Sequence, residues 1–234
     1  MILTAGVDVS HHQGRIDWDR VARYHPPGGH GPIRFSIMKA TEGRDYTDRT
    51  YRPHREAALR RGIIPGGYHL LRPDTPGDAD LEAEHYLRVV GTSARERDGD
   101  LGPLLDVEKH WLDEATPRQA VNEIMTWAEV VRRELGRRPI LYVSARGIQS
   151  LIDRADPEVV QPLGALPLWI VWHKRGAVVP RLPITHSDWV LWQWTSDEGD
   201  ERAAGVQSSG LDLDWFRGTE EQLALWRLGI QPLP

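Results

Sequence analysis

Two carboxylic acids separated by one residue, Asp106 and Glu108, follow an apolar run that begins at Leu104. Side chains alternate between the two faces of a β-strand, so these acids point the same way if the run is a strand. Neighbouring carboxylates oppose each other's ionisation, which drives one of them toward the protonated form. A carboxylic acid beside a carboxylate is the pair of groups that hydrolyses a glycosidic bond.

The two acids are expected to play different roles. Glu108 has the longer side chain and is the candidate general acid, whereas we expect Asp106 to stay ionised and to stabilise positive charge on the sugar or on a neighbouring substrate group. Their Cα atoms should lie about 6–7 Å apart, two strand rises. The carboxyl groups can then be about 5 to 9 Å apart, a range that includes both retaining and inverting glycosidases. Spacing therefore leaves the stereochemistry open.

The elements around this pair alternate between strand-like and helix-like patterns. Repeated β-then-α order predicts an α/β protein with a parallel sheet, either open or closed into a barrel. No long helix pattern separates the strands after Leu168, and no linker divides the chain. The strands are expected at Ile2–Val9, Ile33–Ala40, Ile63–Leu71, Leu101–Val107, Ile140–Val143, Leu168–Trp172, Trp189–Trp194 and Leu211–Phe216. The helices are expected at Ile16–His25, Tyr51–Arg61, Asp78–Val90, Thr116–Leu135, Gly147–Asp153 and Glu220–Leu228.

Polar side chains lie at the carboxyl ends of most of these strands. In a closed βα barrel those ends converge on one face, and that face carries the active site. Acids at four strand ends on one face favour a functional cluster over chance. The strand-end residues are Asp8, Lys39, Thr41, Glu42, Tyr68, His69, Asp106, Glu108, Gln193, Asp212 and Asp214.

Composition excludes several classes of function. The net charge of −5, from 29 basic and 34 acidic residues, does not favour a nucleic-acid partner. The absence of cysteine excludes disulfides and thiolate nucleophiles. No apolar run approaches the length of a membrane span, and the first residues, Met1–Gly6, do not resemble a signal peptide. This predicts a protein that is not exported by that route, or one whose leader has been removed.

Other catalytic motifs are missing from the sequence. It contains no zinc-hydrolase, nucleophile-elbow, phosphate-loop or dinucleotide-binding pattern. His11 and His12 lie near Asp8, but adjacent residues on a strand face opposite ways, so we expect no metal there. Ten tryptophans against two phenylalanines are compatible with a sugar-binding cleft, because indole faces stack well on sugars. We expect about two or three of them in a cleft and the rest in the core.

Short motifs in a fixed order extend over most of the chain. They are Gly6–Gly14 with Ile16–Trp18, Lys39–Gly43, Gly66–His69, Leu105–Glu108, Leu168–Ile170, Trp192–Trp194 and Leu211–Phe216. Together they resemble glycoside hydrolase family 25, the Chalaropsis-type lysozymes. The resemblance implies an irregular TIM-like (β/α) barrel over residues 1–218 in which the last strands lack full helices, with residues 219–234 as a helix and tail packed on the same domain.

The resemblance also implies an activity and a set of site residues. The activity is cleavage of the β-1,4 bond between N-acetylmuramic acid and N-acetylglucosamine in peptidoglycan, with no metal and no cofactor. Glu108 becomes the acid/base and Asp106 its partner carboxylate, with Asp8 and Asp212 as supporting acids. The nucleophile stays open between the substrate acetamido group and Asp106 or Asp212. The expected substrate-binding residues are Tyr68, His69, Lys39, Glu42, His12, Trp169, Gln193 and Trp194.

Some positions depart from the commonest pattern of that family. His12 stands where many members have Trp, Trp194 where many have Tyr, and Asp214 where Asn is common. Trp172-His173 replaces the usual ending of its strand. These changes concern the details of substrate binding and leave the acid pair intact.

The expected partner is the glycan strand of peptidoglycan, bound by a monomer that acts on the bacterial cell wall, outside the cell or in the periplasm. Without a signal peptide, a phage lysin or a delivered or processed enzyme fits the sequence. A catalytically silent glycan-binding module on the same barrel is the alternative from another class. A hydrolase of another glycan such as chitin is a third, although the longer acidic run of chitinases is missing.

Overall fold

The computed structural model describes residues 1–28, 31–72, 77–92, 100–173, 180, 182–195, 204–207 and 210–230. Strands and helices alternate along most of this chain. The strands are β1 (Leu3–Val9), β2 (Phe35–Glu42), β3 (Tyr46–Thr47), β4 (Ile64–Leu70), β5 (Pro103–Val107), β6 (Ile140–Ser144), β7 (Leu168–Val171), β8 (Leu191–Thr195) and β9 (Asp212–Arg217). The helices are α1 (Trp18–Val21), α2 (Tyr51–Leu59), α3 (Ala79–Val90), α4 (Lys109–Glu114), α5 (Pro117–Leu135), α6 (Ala145–Asp153), α7 (Pro157–Val160) and α8 (Glu220–Arg227).

Eight of the strands close into a barrel in the order β1-β2-β4-β5-β6-β7-β8-β9 and back to β1, while β3 forms a short hairpin with β2. The strands from β1 to β8 in this ring are parallel, as the alternating pattern predicts. β9 is antiparallel to both of its neighbours, β8 and β1, so the expectation of a wholly parallel sheet is wrong for this strand. An antiparallel neighbour needs no crossover helix.

The helices are unevenly distributed around the barrel. Between β7 and β8 the described residues contain no helix, in agreement with the prediction that the last strands lack full helices. α5 is the longest helix, and it buries Ile124 and Trp127 against the outside of the barrel. Thr116 caps its start and Gly136 ends it with a φ of 68°. Helix α1 is shorter than expected, four residues starting after Asp17, which caps it with its carboxylate.

Strand alternation divides the apolar core into two layers. One layer lies between the strands and the helices, and the other fills the lower half of the barrel. Phe35 and Phe216 belong to the inner layer, and a Cβ on Gly6 would lie 2.2 Å from the Phe35 ring. Leu223 and Trp226 of α8 join the same inner layer. Apolar packing therefore closes the lower end of the barrel and leaves its polar inner positions at the opposite end.

No helix among the described residues combines the length and the hydrophobicity that crossing a membrane requires.

Candidate active site

The carboxyl ends of the parallel strands form the mouth of the barrel. Because β9 is antiparallel, its first residue, Asp212, reaches the same end and pairs in register with Asp8 of β1. On the other side of the mouth, Asp106 near the end of β5 pairs with Tyr142 of β6. Glu108 follows β5 directly and precedes α4. The structure therefore brings together all four acids that the sequence analysis proposed as catalytic.

Asp106 lies deeper in the mouth than Glu108. It is buried, and its Oδ1 atom has no hydrogen-bond partner among the described residues, whereas Glu108 is half-buried. Burial raises the pKa of Asp106 well above its ordinary value, and the negative charges of Glu108 and Asp8 raise it further. In the substrate-free protein, burial and the neighbouring negative charges therefore oppose the ionisation that the sequence analysis expects of Asp106.

Asp8 is held by a chain of side-chain hydrogen bonds. Its Oδ2 accepts a hydrogen bond of 2.8 Å from Nε2 of Gln193 on β8. Oε1 of Gln193 accepts in turn from the Tyr142 hydroxyl, 3.3 Å away, and lies 3.0 Å from Nε2 of His173. Sequence analysis included Gln193 in the site but missed Tyr142, which shares the inner face of β6 with Ile140 and is identifiable by that alternation.

Asp214 is a further acid, which the sequence analysis placed at a strand end but did not include among the catalytic or substrate-binding residues. It is fully buried on the inner face of β9, and its Oδ1 accepts a hydrogen bond of 2.8 Å from Nε1 of Trp169. Burial raises the pKa of Asp214 to about 8. Trp169 is itself buried and meets Tyr142 edge-on, with ring centroids 4.4 Å apart. The indole therefore supports the floor of the mouth from below and has almost no surface for a sugar.

Tyr68 faces the mouth from β4. Burial raises its pKa well above the ordinary value, followed by the charges of Asp106 and Asp8. Tyr142 shows the same upward shift from burial and then from the same two acids. Both phenols therefore keep their protons and present hydrogen-bond donors beside the acid cluster.

Lys39 and Glu42 meet through an irregularity of β2. Residues three apart on a regular strand face opposite ways, but the register with β4 shifts between Lys39 and Thr41. As a result Nζ of Lys39 lies 2.5 Å from Oε2 of Glu42, and Arg72 pairs with the other oxygen of that carboxylate. Lys39 is nearly buried, and its charge favours the ionised form of Asp106.

His69 lies outside the mouth. It follows Tyr68 on β4 and therefore faces the helices, where it has no exposed surface. One ring nitrogen, Nε2, lies 2.8 Å from Oε2 of Glu82 on α3, and the other, Nδ1, lies 2.8 Å from the Thr41 hydroxyl. A glycan in the mouth cannot contact this ring, so His69 is not part of the substrate site that we propose below.

Two other expected substrate-binding residues occupy different surroundings. Trp194 follows Gln193 and projects from the outer face of β8, where it stacks on Trp215 with ring centroids 5.5 Å apart. His12 is exposed at the mouth in a short 3-10 helix, His11–Gln13, directly after β1. His12 therefore lies where a bound polymer can reach it, whereas Trp194 is on the opposite face of its strand from the acids.

The sequence of this chain matches one family of known proteins. The sequence pattern of Glycosyl hydrolases family 25 matches residues 7–202. The uncharacterized protein YegX of Escherichia coli O157:H7 is 27% identical over 229 residues, which cover 98% of this chain and 75% of that protein. Lysozyme M1 of Streptomyces globisporus is 25% identical over 223 residues, covering 93% of this chain and 69% of that one.

Solved structures agree with the sequence comparison. The bacterial lysozyme of Streptomyces coelicolor superposes with a TM-score of 0.80 at 25% identity, covering 97% of this chain and 98% of that one. A family 25 lysozyme of Aspergillus fumigatus has the same fold, with a TM-score of 0.76 at 24% identity over 98% and 99% of the two chains. The chain therefore belongs to glycosyl hydrolases family 25.

Proposed function

We propose that this protein is a muramidase, which hydrolyses the β-1,4 bond between N-acetylmuramic acid and N-acetylglucosamine in peptidoglycan. The observation that carries the proposal is the pairing of a buried carboxyl group, Asp106, with the more exposed Glu108 at the open end of a closed barrel. Buried acids without a compensating partner are costly, and they concentrate where catalysis uses them. Lysozymes among the relatives support the same substrate class.

Glu108 is the proposed general acid and base because it is the more exposed acid of the pair at the open end of the barrel. It protonates the glycosidic oxygen as the bond to the leaving sugar breaks, and it then activates the water that completes hydrolysis. Asp8 and Asp212, register partners on the opposite wall, add negative potential beside the sugar as positive charge develops on it.

Asp106 is the proposed partner that controls where the proton of the pair resides. Its Oδ1 is buried and accepts no hydrogen bond from the described residues, whereas the residue as a whole keeps slight exposure toward the mouth. An acetamido N–H of the substrate that donates to the exposed part of this carboxyl group stabilises the ionised form of Asp106, so the proton passes to Glu108, which then acts as the acid. Glycan binding thus prepares the pair for bond cleavage.

The test is the substitution Glu108→Gln, assayed on purified bacterial cell walls. We expect loss of wall lysis with an unchanged circular dichroism spectrum, because an amide cannot donate the proton. Glu114→Gln is the matched control, since Glu114 is an exposed acid on α4 a short distance along the chain. Undiminished lysis by Glu108→Gln would refute the assignment of the general acid.

Product analysis distinguishes the proposal from its alternatives. Mass spectrometry of walls digested by the unsubstituted protein should show new reducing ends on N-acetylmuramic acid. New reducing ends on N-acetylglucosamine would identify a different glycosidase, and binding to walls with no new reducing ends would support a silent glycan-binding module. The proposed place of action is the bacterial cell wall.

A further inference from the structure

Asp8 and Asp214 are two aspartates in contact at the floor of the barrel mouth. We propose that they share a proton and that Asp214, acting as a positioning residue, thereby sets the charge that Asp8 presents to the substrate. The inference extends the proposed function, on which its kinetic consequence rests. The proton itself is a property of the substrate-free protein.

The register of the strands places one aspartate below the other. Asp212 of β9 is opposite Asp8, and Asp214 is opposite Gly6, two residues deeper in the barrel. Gly6 contributes no side chain at that level, and the Phe35 ring occupies the space that a Cβ there would need. Asp8 keeps slight exposure toward the mouth, whereas Asp214 has none. Asp214 therefore makes no direct contact with a substrate, and Asp8 is the acid of the two that faces the mouth.

The hydrogen bonds of the two aspartates leave one place for a proton. Oδ2 of Asp8 accepts from Gln193 and Oδ1 of Asp214 accepts from Trp169. Oδ2 of Asp214 is buried and accepts no hydrogen bond from a described N–H or O–H donor, yet the two carboxyl groups are in hydrogen-bonding contact with each other. Two carboxylates cannot hydrogen-bond without a proton, so one of them must carry it.

The surrounding charges favour retention of this proton. Burial raises the pKa of Asp8 well above its ordinary value, followed by the charge of Asp214, and burial raises the pKa of Asp214 to about 8. The positive charge of Lys39, which lowers the pKa of Asp106, is already paired with Glu42, and no cation of the described residues is among the main causes of the pKa shifts of Asp8 and Asp214. The titratable groups that face the pair from the surrounding elements are Asp106 and Glu108 beside β5, Tyr68 on β4, Tyr142 on β6, His173 after β7 through Gln193, and Asp212 on β9.

The shared proton gives Asp8 a variable charge. When it lies on Asp8, the floor of the mouth is neutral at that point and the negative charge is held by Asp214. As positive charge develops on the sugar, the O–H bond on Asp8 breaks and an O–H bond forms on Asp214. Asp8 becomes anionic where it faces the substrate, and no proton is exchanged with solvent.

The first test uses infrared spectroscopy on the substrate-free protein at neutral pH. In Asp214→Asn the amide oxygen still accepts from Trp169, and the amide N–H₂ donates to Asp8, which is then permanently ionised. We expect the absorption of about one protonated carboxylic acid per molecule to disappear relative to the unsubstituted protein. Asp100→Asn is the control, because Asp100 is also buried but pairs with Arg55 over 2.6 Å. Its spectrum should keep that absorption.

Asp8→Asn removes the other aspartate that shares the proton. It provides a second test if Asp214→Asn does not fold. It should lose the same absorption, because Asp214 then accepts from an amide. Retention of the full absorption in either folded variant would overturn the proposal. Because no substrate is involved, these spectra give an answer even if the protein proves not to hydrolyse peptidoglycan.

The second test is the pH dependence of turnover. Loss of the shared proton near pH 8 adds a second buried anion beneath the mouth, so kcat of the unsubstituted protein should fall there, by up to about tenfold per pH unit. Asp214→Asn should lack this alkaline decrease. A merely structural role predicts the same alkaline decrease in both proteins, because Asn preserves the hydrogen bond from Trp169, and that result would contradict the proposal.

Discussion

Gln193 on β8 donates a hydrogen bond of 2.8 Å from Nε2 to Oδ2 of Asp8 on β1, although β9 lies between these two strands in the barrel wall. The bond joins two strands that are not neighbours, and it lies inside the barrel and not in its wall. Gln193 also accepts from Tyr142 and contacts His173. A single amide thus fixes the orientation of the acid on β1 relative to side chains of β6 and the segment after β7.

Gln193→Leu should therefore lower activity without unfolding the protein. The change removes a donor to an acid, a contact typically worth about 1.5–3 kcal/mol, so we expect kcat/KM on cell walls to fall roughly 10- to 100-fold. Gln149→Leu on α6 is the control, because the side chain of Gln149 donates a hydrogen bond to Asp153 on the surface of the same helix, away from the acids of the mouth. Equal activity of the two variants would show that the orientation of Asp8 does not matter.

Asp106→Asn should impair catalysis even though the amide has nearly the same shape. The variant cannot pass a proton to Glu108 and cannot accept from the substrate acetamido group as an anion does. We expect kcat to fall at least about 100-fold with little change in KM, measured by release of reducing sugar. A variant that loses affinity but keeps kcat would assign Asp106 to binding alone.

Asp214→Asn should also change how stability depends on pH. The pKa of Asp214 is about 8 in the folded protein, against about 3.9 for an unfolded aspartate. Between these values the folded state binds a proton that the unfolded state releases, so stability falls as pH rises, by about 1.4 kcal/mol per pH unit. The variant lacks this loss. Denaturant titrations at pH 5 and pH 7.5 should show a smaller difference in unfolding free energy for the variant, whereas parallel changes would contradict the assigned pKa.

His69→Gln should affect stability and not catalysis. Burial lowers the pKa of His69 to about 3, so the neutral ring donates from Nε2 to Glu82 and accepts at Nδ1 from the Thr41 hydroxyl. We expect the unfolding free energy at pH 7 to fall by roughly 1–3 kcal/mol, because buried polar partners lose their hydrogen bonds. Activity per folded molecule should not change. A specific loss of activity would return His69 to the substrate site.

The low pKa of His69 also predicts that the stabilities of the unsubstituted protein and of His69→Gln depend differently on acidic pH. The pKa of an unfolded histidine is near 6.5, whereas that of folded His69 is about 3. As pH falls between these values, the unfolded state binds a proton at this residue and the folded state does not. This destabilises the unsubstituted protein by about 1.4 kcal/mol per pH unit across that window. Because glutamine does not titrate, the unfolding free energies of the two proteins should converge as pH decreases, and a constant difference would be inconsistent with a neutral buried ring.

Much of the barrel is predictable from the period of its apolar residues. Each expected strand has a counterpart in the structure, and the acid-bearing ends of β1, β5 and β9 meet as the resemblance implies. The direction of β9 is not predictable, because alternation of side chains reads the same along a strand in either direction. Nor does the pattern show that the expected helix at Ile16–His25 forms only over Trp18–Val21.

Regular strand geometry limits which of the predicted site residues can face the mouth. Tyr68 and His69 are adjacent, as are Gln193 and Trp194, so only one residue of each pair can face the mouth. Sequence position at a strand end does not reveal which one. Lys39 and Glu42 show the opposite case, since a register shift brings together two residues that regular alternation would separate.

Because β9 is antiparallel to β1, the start of the first barrel strand and the end of the last one lie side by side. β1 starts at Leu3 and β9 finishes beside it at Arg217, both at the end plugged by α8. A reporter, anchor or targeting module fused ahead of β1 or behind α8 would consequently emerge on the far side from the opening, and the added module would not stand between the opening and an incoming polymer.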